Sequence, residues 1–91
     1  MYLHLGQNVV VRGASVIGIF DIENTSISKI TKEFLSAEER MKQVVNVSAE
    51  LPKSFVVCRE NGETTVYISQ ISCATLKKRS GYLEEIRLTQ E

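Results

Sequence analysis

The sequence has no tryptophan, one proline, one histidine (His4) and one aspartate (Asp21). General acid–base or nucleophilic catalysis draws on His, Asp and Cys, and this chain supplies few of them. Its two cysteines, Cys58 and Cys73, make no disulfide framework and read as small buried hydrophobes. With His4 they fall short of the four ligands of a structural zinc site, so no metal or other cofactor is expected. No apolar run approaches the ~18 residues of a membrane span. Met1-Tyr2-Leu3-His4 lacks the basic start of a signal peptide, which points to the cytoplasm. An excess of charge is also missing: 11 Lys and Arg balance 11 Asp and Glu, with a pI near 6.6. A free-standing nucleic-acid-binding domain normally carries a basic surplus, so only a local patch could serve that purpose here. At 91 residues the chain is one small domain. Such a domain buries only ~60–65% of its unfolded surface, and association between copies would add burial.

The strongest local signal is Asn61-Gly62, which suits the two positive φ angles of a type I′ hairpin turn. Ser54–Glu60 and Glu63–Ser69 flank it as β-branched and aromatic runs. A two-residue loop sets Glu60 opposite Glu63, Val57 opposite Val66 and Phe55 opposite Ile68. The last two pairs make the core face. Val56–Tyr67 and Cys58–Thr65 make a second face, apolar enough to be half covered. Pro52 precedes the first strand, where a missing N–H does no harm.

Upstream, Tyr2–Leu5 alternates and ends at Gly6. Val9–Val11 follows, and Gly13-Ala14-Ser15 breaks it. Val16–Ile22 is apolar on both faces, Ile17 with Ile19 and Val16 with Phe20, as expected of a central strand or a subunit contact. Glu23–Ser26 is a cluster of turn and cap residues. Ile27, Ile30, Phe34, Ala37 and Met41 then trace one helical stripe, with Lys29–Glu33 and Glu38–Lys42 as outer pairs. Ser36-Ala37-Glu38-Glu39 spells a capping box, which allows a break near Leu35 and a restart. Val44–Val47 reads as a short strand or an extended link. Ser72 caps a second short helix, Cys73–Ser80, ended by Gly81.

Catalysis finds no support in these patterns. Asp21 ends an apolar strand, where it satisfies backbone donors. Glu38-Glu39 and Glu84-Glu85 are adjacent on helices and do not face each other. Gly6, Gly13 and Gly18 match no phosphate-loop spacing. The protein is read as a non-enzyme with no small-molecule substrate. The one cationic cluster is Lys77-Lys78-Arg79. It complements a helix C-terminus, or it contacts phosphate.

Four stretches carry a family resemblance: YLHLGQNVVV at the start, VIGIFDIENTSISK at 16–29, LPKSFVV at 51–57 and YISQISCATLKKRS at 67–80. In this order and spacing they resemble the bacterial extracellular-matrix (biofilm) regulators of the RemA/RemB family, closest to the RemB-type branch. The resemblance covers most of residues 1–80. It implies a cytoplasmic protein that helps switch on matrix genes, forms ring oligomers and binds DNA as an architectural regulator. It also implies arginines on DNA at positions that correspond here to Ser15, Glu50 and Leu51. None of the three is basic, while Lys53 and Arg12 lie close to them in sequence.

The expected fold is therefore α+β. Short antiparallel strands with an NG hairpin surround one main helix, with a short helix after the hairpin. Residues 1–81 form the domain and 82–91 a tail. The expected function is DNA-binding regulation of matrix genes by a ring homo-oligomer acting on double-stranded DNA. Arg12, Lys53, Lys77, Lys78 and Arg79 are the candidate contacts. The alternative is an interaction module that modulates regulation without touching DNA.

Overall fold

The computed structural model describes residues 1–34 and 41–80. Strands β1 (Tyr2–Gly6) and β2 (Val9–Arg12) pair antiparallel as a hairpin of their own. One 3-10 turn, Gly13–Ser15, leads into β3 (Val16–Asp21), the helix α1 (Ile27–Phe34) and β4 (Met41–Asn46). β5 (Ser54–Glu60) and β6 (Glu63–Ser69) follow, and residues 73–80 form a short helix, α2. The fold is α+β and mostly strand, the class the sequence predicts.

The β5–β6 register matches the sequence reading residue for residue, from Glu60 opposite Glu63 through Val57 opposite Val66 to Phe55 opposite Ile68. Asn61 and Gly62 have φ of 52° and 78°, the left-handed pair that a type I′ turn requires. A Cβ on Gly62 would meet nothing within 4 Å, so only backbone strain opposes a side chain there. Gly62→Ala is expected to cost ~1–2 kcal/mol. The check is a lowered denaturant midpoint with an unchanged m-value.

The main sheet has the order β3-β5-β6-β4. One expectation fails here, and another is narrowed. The strands are not all antiparallel, because β4 runs parallel to β6, with Val44 opposite Val66 and Asn46 opposite Ile68. β3 is an edge strand, so of its two alternatives, a central strand or a subunit contact, the first is excluded. Both follow from α1 being a crossover. It returns the chain in the direction of β3, and the β5–β6 hairpin then inserts between β3 and β4. The outer edge of β3 is partly closed, since the Cys73 thiol donates to the Ile19 carbonyl at 3.6 Å.

The reading of the faces of β3 is also corrected. Val16 pairs with Cys58 and Gly18 with the next residue, Val57, so Ile17 is the extra residue of a bulge. The bulge resets the alternation. Val16 packs on the same side as Ile19, and Phe20 packs on the opposite side. A Cβ on Gly18 would lie 2.6 Å from the Phe20 ring, so the bulge residue's neighbour must be small.

The helical stripe holds at its start. Ile30 is buried and Ile27 packs beside it, while the Ser26 hydroxyl accepts the Lys29 N–H at 3.2 Å as a cap. The stripe does not reach Met41, which opens β4; Lys42 is also in β4, so Glu38–Lys42 is not a helical pair. The β-branched Val44-Val45 and the open edge of β6 favour a strand over a longer helix. Ala37, the capping box at 36–39, Gly81 and the tail at 82–91 lie outside the described residues.

Both faces of the sheet are packed against other elements. On one, Ile30 of α1 packs with Phe55, Val57 and Val66. On the other, Leu3, Leu5 and Val11 of the first hairpin and Leu76 of α2 pack with Val56 and Cys58. Adjacent Val56 and Val57 are both fully inaccessible. The second face is half covered, as expected: the β1–β2 hairpin and α2 bury Val56 and Cys58, while Thr65 and Tyr67 stay partly exposed along an open groove. Each of these fully buried aliphatic side chains contributes ~1.5–3 kcal/mol.

Two buried serines join the layers. Ser54 and Ser69 are cross-strand partners at the end of β5–β6, and both are fully inaccessible. The Ser69 hydroxyl donates to the Leu5 carbonyl at 2.6 Å and accepts the Ile71 N–H at 3.0 Å. The Ser54 hydroxyl donates to the Ile71 carbonyl at 2.7 Å. They fix the first hairpin and the approach to α2 against the sheet.

Candidate functional site

The candidate cations fall into two groups. Lys53 is held as an extended link, because it follows Pro52 and its backbone bonds on both sides. Its N–H donates to the Ser69 carbonyl at 2.8 Å, and its carbonyl accepts the Ile22 N–H at 3.3 Å. The side chain is exposed and lines a groove of about 350 Å³ with Asp21, Glu23, Leu51 and Ala74. The same groove contains Ser72, which caps α2 as expected: its hydroxyl accepts the Thr75 N–H at 3.1 Å.

Leu76 anchors α2, being fully buried, and this turns Lys77, Lys78 and Arg79 outward. Lys78 lies one turn beyond Ala74, ~6 Å along the same side of the helix. Lys53 itself shares its groove with Asp21 and Glu23, so the unopposed exposed cations of this region are those of α2. Arg79 is partly committed, with its Nη1 donating to the His4 carbonyl at 3.3 Å.

Arg12 is elsewhere. It lines a second groove of about 360 Å³ with Ser15, Cys58, Glu60, Glu63 and Tyr67. Asp21 pairs with Ser54, the first residue of β5, whereas Glu60 is its last. Six steps of ~3.3 Å separate the two ends, about 20 Å, so Arg12 and Lys53 do not converge. The positions that correspond to the family's arginines diverge as well. Ser15 is only 6% exposed, with its hydroxyl donating to the Glu60 carboxylate. Glu50 is exposed, its N–H bonded to the Ser48 hydroxyl, and Leu51 is 80% exposed.

The second groove escaped the sequence reading. Its only signal was the pair of glutamates, Glu60 and Glu63, facing each other across the turn, where like charges are unfavourable. Burial, and then the Glu60 charge, push the Cys58 thiol up to about 12. Burial also raises the Tyr67 phenol, helped by Cys58 and Glu60. Both stay neutral at ordinary pH. A neutral, buried thiol is the opposite of an activated nucleophile. Asp21 is likewise occupied structurally, with its carboxylate accepting the Glu23 N–H at 2.8 Å. Among the described residues, no three His, Cys, Asp or Glu gather as a metal site, and no helix is long and apolar enough to cross a membrane.

A family model described as RemA-like, extracellular matrix regulatory protein A-like, matches residues 2–79. Extracellular matrix regulatory protein B of Bacillus subtilis (strain 168) is 41% identical over 86 residues, covering 94% of this chain and 98% of the relative.

Proposed function

Because this chain belongs to the RemA-like family of extracellular matrix regulatory proteins, we propose that it is a cytoplasmic regulator of matrix genes that binds double-stranded DNA as a ring-shaped homo-oligomer. The observation that carries this reading is the set of exposed cations on α2, Lys77, Lys78 and Arg79, on a helix anchored by the buried Leu76. One copy is electrically neutral and offers few phosphate contacts. Repetition around a ring multiplies them, and phosphate contacts act by their number. Arg12 is a separate contact at the far end of β5.

A second reading, an interaction module that does not touch DNA, is favoured by one observation. The three positions that correspond to the family's arginines hold a buried serine, a glutamate and an exposed leucine.

A salt titration of DNA binding decides between them. Phosphate contacts give a log–log slope of roughly −0.9 for each phosphate neutralised. Changing Lys77, Lys78 and Arg79 together to Gln is expected to flatten that slope and to weaken all DNA sequences alike. Absence of binding at low salt, at concentrations where the protein has assembled, would leave the second reading. If DNA binding survives the triple change while the melting temperature falls, the three cations serve the helix end alone.

A further inference from the structure

The chain has four asparagines, and three of them precede a β-branched residue: Asn8-Val9, Asn24-Thr25 and Asn46-Val47. Asn61 alone precedes a glycine. The difference is chemical, because an asparagine side chain is open to attack by the backbone nitrogen of the residue that follows it. A branched side chain shields that nitrogen, and glycine leaves it bare. The fold adds a second distinction. The Val47 N–H that Asn46 would need is engaged, donating to the Ile68 carbonyl at 2.9 Å. The type I′ turn closes between Glu60 and Glu63, which leaves the Gly62 N–H outside the β5–β6 ladder. Asn61 and Gly62 are both exposed, and a Cβ on Gly62 would meet nothing within 4 Å, so nothing packs over the tip at Gly62.

We propose that Asn61 is a site of spontaneous deamidation. The Gly62 nitrogen loses its proton and bonds to the Asn61 Cγ, while the side-chain amide nitrogen leaves as ammonia. The product is a five-membered succinimide. Water then opens the ring at one of its two carbonyls. One opening gives aspartate in the ordinary chain. The other gives isoaspartate, in which the main chain runs through the side-chain carbon. One water is consumed and one ammonia released, with no oxidant and no enzyme. The Cγ reaches the nitrogen only when Asn61 leaves its turn conformation. That opening is confined to the exposed tip and breaks no packing, so it is a local event rather than an unfolding of the chain.

The consequences follow from what surrounds Asn61. It lines a groove with Glu60 and Glu63, and among the described residues around that groove Arg12 is the one cation. Either product adds a third carboxylate where the first two already face each other unfavourably across the turn. Isoaspartate does more. It lengthens a loop whose two-residue length sets the register, which displaces Glu60 from Glu63 and from the Ser15 hydroxyl that its carboxylate accepts. The bond from Ser15 to Glu60 ties the 3-10 turn before β3 to the end of β5, so the damage passes from the tip into the sheet.

The test holds the full folded chain in warm, mildly alkaline buffer and digests samples with trypsin at intervals. Cleavage after lysine and arginine puts the four asparagines on four separate peptides, so three of them serve as internal references; Asn61 falls on residues 60–77. That peptide is expected to show the mass gain of OH replacing NH2 before the other three do. It is expected to split into two chromatographic forms, one of which accepts a methyl group from protein isoaspartyl methyltransferase. Gly62→Ala is expected to slow the reaction to the rate of the other asparagines, although the same change loosens the turn. Asn61→Asp brings in the carboxylate alone and is expected to lower the melting temperature, less so at high salt. The aged, isoaspartate-containing chain is expected to melt lower still. The chain in denaturant is the control. An Asn61 that deamidates there but stays intact in the folded chain, or that reacts no faster than Asn8, Asn24 and Asn46, overturns the proposal. An aged chain that melts with the parent overturns the consequence drawn for the turn.

Discussion

Ser69→Ala will destabilise the protein by ~2–6 kcal/mol, far more than the loss of one hydroxyl from a surface serine. The side chain is fully inaccessible, and its hydroxyl serves two partners, the Leu5 carbonyl and the Ile71 N–H. Alanine orphans both where water has no access. Each unsatisfied buried backbone group costs ~1–3 kcal/mol. Ser54→Ala orphans one partner, the Ile71 carbonyl, and is expected to cost about half as much. The damage will be uneven. The hydroxyl joins the first hairpin and the approach to α2 to the sheet and touches nothing on the α1 side. Hydrogen exchange should therefore show β1, β2 and α2 opening before β5, β6 and α1. Uniform acceleration across the chain, or a loss below about 1 kcal/mol, would contradict the assigned role.

Those two serines mark where sequence reasoning stops. In the sequence they only bound the β5 and β6 runs, and nothing local distinguishes a serine that solvates a strand end from one that joins two layers. The β5–β6 hairpin was fully legible because its register depends on two adjacent residues, Asn61 and Gly62. The caps at Ser26 and Ser72 and the turn at Asp21 were legible for the same reason: each bonds to a backbone N–H only a few residues away. The errors all involve longer range. The bulge at Ile17 is a property of how β3 meets β5, so the alternation of Val16–Phe20 could not reveal it. Met41 continues a helical spacing by coincidence, and the vacant edge of β6 draws it into a strand. That the first hairpin covers Val56 and Cys58 was also out of reach, because it required knowing where the hairpin folds back. The site is similarly divided. Which residues are cationic and exposed was readable, but the separation of Arg12 from Lys53 by the length of β5 was not.

The second large effect concerns Leu76, the side chain that orients the cationic helix. Of residues 74–79 it alone is buried, and it is fully inaccessible among Leu3, Leu5 and Val56. A buried leucine cut to alanine loses ~2–5 kcal/mol, part from transfer and part from the cavity left behind. Leu76→Ala is expected to fall in that range, because the site is bounded by two strands of the first hairpin and by the sheet, which limits collapse. α2 is short and has no other fully buried side chain, so it should detach before the sheet unfolds. Detachment separates Arg79 from the His4 carbonyl and frees Lys77 and Lys78 from their fixed place against the sheet. DNA affinity should then fall without any change of charge, and the salt slope should be retained wherever residual binding can be measured. The Lys77–Arg79 change to Gln should do the reverse, flattening the slope while the fold persists. Comparing the two separates the placing of the cations from their charge. If Leu76→Ala lowers stability by this amount but leaves DNA affinity intact at a temperature where the sheet remains folded, the cationic face of α2 is not the DNA surface.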